Sequence, residues 1–151
     1  MGYTIKIGNA VPFFTKEDGE LYACWRVEST THDDAPTFIC DKMTGNTNSR
    51  YPSYTVWGDF CRKTKLYDLF YEQYCGLFYK HPNCVMITED DYNVIHKALE
   101  DYQKISTKPP GFAGYNVDDM EYDPYLARLI WLDFWMRWAL DNCETPAIFN
   151  S

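Results

Sequence analysis

Asn46, Asn48, Ser49 and Arg50, followed by Tyr51 and Tyr54, put amides, a hydroxyl, a guanidinium and two phenol rings into one short stretch. A guanidinium is a planar fork for phosphate or carboxylate, Asn side chains read base edges or ribose, and tyrosine rings stack on bases. The stretch runs into Pro52-Ser53-Tyr54, which reads as a helix start. A helix N-terminus adds unpaired N–H groups and the positive end of a dipole. The segment is therefore the candidate ligand-binding site, with Arg50 on phosphate. A solvated loop with its own Asx-turns and an ordinary Ser cap is the competing account. The G-x-x-x-x-G-K-[ST] pattern of a P-loop is missing.

Two further arginines, Arg128 and Arg137, interrupt the most apolar run of the chain. Arg137 stands four residues after Asp133, so the two are neighbours on one helix face, and Arg128 projects to nearly the opposite side. Buried charges require partners, so an internal ion pair is one expectation and an arginine lining a pocket for an anionic ligand is the other. His32, His81 and His96 fall in no metal or triad pattern. Cys75, His81 and Cys84 lack the second ligand pair of a zinc site, so neither metal nor cofactor is expected. The acidic clusters Asp33-Asp34, Glu89-Asp90-Asp91 and Asp118-Asp119 are weighed as metal or basic-partner sites, though a helix cap and a solvated loop explain two of them. No catalytic residue is assigned.

These residues need elements to hold them. Tyr3–Ile7 alternates as a strand that Gly8-Asn9 and Pro12 are expected to break. Leu21–Val27 is a second strand, joined through a Glu17-Asp18-Gly19 turn, and Thr37–Cys40 is a weaker third. After the polar loop from Asp41 to Ser53, the spacing predicts a helix over Tyr54–Lys63, with Tyr54, Trp57, Phe60 and Cys61 on one face. Leu66–Tyr74 continues as a second helical piece. Thr88 with Asp91 predicts a capping box, and Tyr92, Ile95, His96 and Leu99 follow at helical spacing until Lys108-Pro109-Pro110-Gly111. Phe112–Tyr122 is irregular. Asp123-Pro124 opens a last helix that is apolar nearly all round and belongs at the centre of the molecule. Strands first and helices after make one α+β domain: an N-terminal antiparallel hairpin or small sheet packed on a helical body with a central aromatic-rich C-terminal helix.

With 151 residues the chain fits one domain that buries a core, and 18% aromatic content supplies that core generously. The formal net charge of −8 disfavours non-specific nucleic-acid binding and favours solubility and basic partner surfaces. No run reaches the length of a membrane span, and Lys6 rules out myristoylation at Gly2. Met1–Ala10 carries no export signal, so the cytoplasm and reduced cysteines are expected.

Thr44–Tyr54 with Trp57–Cys61, and the end from Leu126 to Asn150, resemble small uncharacterised proteins carried by bacteriophages and prophages. The resemblance covers about a third of the chain and carries no functional residues. It implies an anti-defence role in the host cytoplasm, by analogy of origin. The expected function is a non-enzymatic binding protein that sequesters a nucleotide immune signal. An acidic inhibitor gripping a host defence effector is the alternative, and a small nucleotide-processing enzyme comes third. A homo-oligomer is compatible with each.

Overall fold

The computed structural model describes residues 1–37, 40–43, 45–111 and 122–151. The expected strand Thr37–Cys40 falls largely on residues 38–39, and the expected irregular segment largely on 112–121, outside the described residues. Among the described residues nine elements follow in order: β1 Ile5–Glu17, β2 Glu20–Val27, β3 Ser49–Arg50, α1 Tyr54–Lys63, α2 Tyr67–Tyr71, β4 Asn83–Met86, α3 Glu89–Gln103, α4 Pro124–Asn142 and β5 Pro146–Asn150. They form an α+β fold with an antiparallel five-stranded sheet ordered β2-β1-β5-β4, β3 pairing with β1.

The hairpin turns where the sequence placed it, with Asp18 (φ 51°) and Gly19 (φ 82°) both in the left-handed region, as a two-residue turn of matching twist requires. Neither Gly8 nor Pro12 breaks β1, a correction with a physical reason at each position. A Cβ on Gly8 would stand 3.2 Å from both Asn48 Nδ2 and Val27 Cγ1, so the glycine makes room for close packing. Ala10 directs its N–H away from β2, to Thr145 O at 2.8 Å. Pro12, two residues on, faces the same way, and its missing N–H removes no bond to β2.

The strands do not all precede the helices, contrary to the expected order. The last strand β5 inserts between β1 and β4, so both ends of the chain meet in one sheet. Ile5 and Ile7 of β1 and Ile148 of β5 turn one face toward the helices, where they join Trp57, Phe60, Ile95, Leu129, Leu132 and Trp135 in the main core.

The helices start where their caps stand. Ser53 accepts the Val56 N–H at the head of α1, Thr88 and Asp91 close a capping box on α3, and Asp123 caps α4 with Pro124 behind it. α4 buries residues on most of its circumference, from Leu126 to Ala139. That run is the centre of the molecule because a helix apolar all round has no face to give to water. Among the described residues, no helix is long and apolar enough to cross a membrane.

Candidate functional site

The polar loop before α1 is built inward. Asn48, Ser49 and Arg50 are all buried. Asn48 fills the gap that β1 leaves between β2 and β3: its Nδ2 donates to Ile7 O and Glu28 O, both at 2.9 Å, and its Oδ1 accepts the Thr30 N–H at 2.9 Å. Asn46 Nδ2 donates to His32 O at 2.8 Å, and Trp131 Nε1 donates to Thr47 O at 3.1 Å.

Arg50 is wholly enclosed. Its Nε lies 2.9 Å from Asp41 Oδ2, an ion contact whose angle falls short of a hydrogen bond. Nη2 donates to Cys40 Sγ at 2.8 Å, the guanidinium sits 4.9 Å above the Trp131 ring, and Nη1 has no partner among the described residues. Arg128 reaches the same carboxylate from α4, with Nε and Nη2 each 2.8 Å from an Asp41 oxygen. Burial pushes the Asp41 carboxyl up, but the Arg128 hydrogen bonds and the charge of Arg50 outweigh it and hold it below the usual range. Arg50 and Arg128 thus converge, and the anion between them is the chain's own.

The remaining sequence-predicted residues lie apart. Tyr51 and Tyr54 are partly exposed, at 40% and 37%. Tyr54 Oη is 3.1 Å from His81 Nε2. Arg137 does not pair with Asp133, its neighbour in the helix. It reaches Glu89 with two bonds of 2.8 Å, also holds Asp141, and lies over the Tyr92 ring at 4.8 Å. Asp133 instead takes His96 Nδ1 at 2.7 Å. The reason is reach: α3 packs beside this face of α4 and offers both partners.

Lysines that the sequence reading did not single out border an open groove between the end of α1 and the outer face of α3. A cavity of about 390 Å³ is lined by Lys63, Thr64 and Lys65 on one side and by Val94, Ala98 and Ile105 on the other. A second cavity of about 320 Å³ adjoins it, sharing Lys63, Tyr102 and Ile105. The nearby carboxylates are already engaged. Asp101 has Lys97 at 3.2 Å and Lys104 at 3.9 Å. Asp123 accepts from Tyr102, Ser106 and two amides of α4. Lys63 and Lys65 carry no ion pair among the described residues. Among the described residues the groove therefore offers two cations without an ion pair above an apolar floor, in a size range that suits small molecules.

Basic side chains at a helix C-terminus are favourable to the dipole anyway, so Lys63 alone gives no functional signal. The one available hint is the clustering Arg62-Lys63-x-Lys65 in so acidic a chain. No protein-family model, curated protein or solved structure matches the chain.

Proposed function

We propose that the protein is a non-enzymatic binding protein that takes a nucleotide-type anion in the groove between α1 and α3. The observation that carries this reading is the pair Lys63 and Lys65, which have no ion pair among the described residues and lie over the apolar surface of Val94, Ala98 and Ile105. Phosphate would meet the ammonium groups, and a base or sugar would cover the apolar floor. The surrounding charge of −8 repels long polyanions while a local positive site still admits a small one, so the groove suits a free nucleotide better than a nucleic acid. In a phage-type setting such binding would withdraw a nucleotide signal from host defence.

Calorimetry of the full chain against nucleoside phosphates, cyclic oligonucleotides and ADP-ribose derivatives tests it. The expected result is stoichiometric binding without turnover. Lys63→Ala should weaken it by about 1.5–3 kcal/mol, the usual worth of a hydrogen bond to a charged group. Silence across the panel overturns the reading.

A second reading, an inhibitor that grips a host protein, is favoured by one feature. Phe14, Trp25 and Met86 are 66%, 54% and 62% exposed on the hairpin and the edge strand β4. Capture of a basic host protein together with silence in calorimetry would put this reading first.

A further inference from the structure

Three side chains from distant parts of the chain form a directed hydrogen-bond relay beside the start of α1. His81 Nε2 lies 3.1 Å from Tyr54 Oη, and His81 Nδ1 lies 2.6 Å from Asn150 Oδ1. The Asn150 amide is buried and oriented from its other end, where Nδ2 donates to Lys80 O at 3.2 Å. Its oxygen therefore faces His81. An amide oxygen only accepts, so the neutral form of the His81 ring carries its proton on Nδ1 and presents a lone pair at Nε2. Tyr54 must then be the donor. The result is a hydroxyl on an imidazole that a third group orients, the arrangement by which a weak nucleophile is activated.

The surroundings hold the pair in place without closing it off. The Tyr3 ring stands edge-on to Tyr54 at 4.7 Å and to His81 at 5.2 Å. Tyr54 remains 37% exposed, so an electrophile in solution can reach its oxygen. Tyr54 is also the first residue of a ten-residue helix. There Met1 O takes the Tyr54 N–H and the Ser53 hydroxyl takes the Val56 N–H, which leaves the Thr55 N–H open among the described residues. An open amide and the positive helix end favour an anionic electrophile over a neutral one.

We propose that Tyr54 is a stoichiometric phosphoryl acceptor, with His81 as its general base and Asn150 as the residue that positions the base. The donor class is an activated phosphorus ester or anhydride. Tyr54 Oη forms the new O–P bond as the P–O bond to the leaving group breaks, and the leaving oxygen keeps the electron pair. The hydroxyl proton passes to His81 Nε2 and from there to the departing oxyanion. The imidazole returns to neutral and the chain keeps a phosphotyrosine ester. This site is at the opposite end of α1 from the lysine groove and stands independently of it.

Phosphorylation of the full chain by 4-nitrophenyl phosphate, an anionic activated phosphorus ester, mapped by mass spectrometry, tests the proposal, with Tyr74 as an internal reference because it is 80% exposed. Tyr54 should react faster than Tyr74 by on the order of 10²-fold, the low end of base assistance. Tyr54→Phe should remove that adduct alone. His81→Gln should lower Tyr54 to the rate of Tyr74 with an unchanged circular dichroism spectrum. A Tyr54 rate no greater than that of Tyr74 overturns the proposal, and this comparison needs no variant to fold. So does an undiminished Tyr54 rate in folded His81→Gln, or acetylation of Tyr54 by N-acetylimidazole without phosphorylation by 4-nitrophenyl phosphate.

Discussion

Arg128 closes a two-pronged ion pair on Asp41 across 87 residues of sequence, with both bonds at 2.8 Å. The contact ties the N-terminal part of α4 to the loop that leads into α1, and Arg50 leans on the same carboxylate from within the loop. Two buried guanidinium groups share one carboxylate, so each depends on Asp41 to remain where it is.

Asp41→Asn should therefore be severe. Asn tolerates the positive φ of 56° at this position, so the substitution removes charge with little backbone strain. Loss of one partner of a buried pair costs about 3–5 kcal/mol. Denaturant unfolding should show a lower midpoint with an unchanged slope. The lowered Asp41 pKa also makes the contribution acid-sensitive: it is present above the ordinary carboxylate range and disappears as pH falls through the depressed folded value.

Arg50→Ala should lower the melting temperature strongly, because it strips Asp41 of one cation and Trp131 of the charge above its ring. Arg50→Lys should recover little, since a point charge cannot serve Asp41 and Cys40 as the fork does. An Arg50→Ala protein that melts like the wild type would mean that the loop is held by other contacts.

Asn48→Asp tests the gap in the sheet. The change replaces a donor that serves two carbonyls with an acceptor aimed at them. Leaving buried groups unsatisfied costs about 1–3 kcal/mol or more. Hydrogen exchange should quicken at Ile7 and Asn48, where the Ile7 N–H meets Asn48 O at 3.2 Å.

Trp135 and Leu132 are fully buried in α4. Truncating Leu132 to Ala should cost about 2–5 kcal/mol, and Trp135 about 3–5 kcal/mol. Equilibrium unfolding checks both values, and a change under about 1 kcal/mol would remove α4 from the centre of the core.

His96 makes stability depend on pH in the opposite sense to Asp41. Its hydrogen bond to Asp133, with the charges of Asp133 and Glu100, raises its pKa against the opposing effect of burial. Tyr92 and Arg137 complete the charged and titratable neighbourhood. A raised folded value means that the stabilisation is complete below the unfolded histidine value and is lost as pH rises through the folded one. The melting temperatures of wild type and His96→Asn should differ more at about pH 5.5 than at about pH 8.5, on either side of the ordinary histidine range. Equal differences at the two values would show that the contact is not charged.

The local parts of this protein are legible along the chain. Asp18-Gly19 turns the hairpin, Ser53, Thr88 with Asp91, and Asp123-Pro124 start three helices, and the all-round apolarity of 125–140 makes α4 central. Each of these signals closes its hydrogen bonds within about four residues, or shows its burial as a period along one helix. The rest depends on how the elements pack. Pro146–Asn150 becomes an inner strand because β1 and β4 flank it, and five residues cannot announce partners that distant. Arg50 looked like a free cation because nothing near it in sequence shows that Arg128 arrives from α4 to share Asp41. Lys63 and Lys65 are not singled out by the sequence, because the groove exists only once α3 lies alongside. A charge has one meaning in water and another beside a distant partner, and the distance between those partners along the chain is set by how the elements pack.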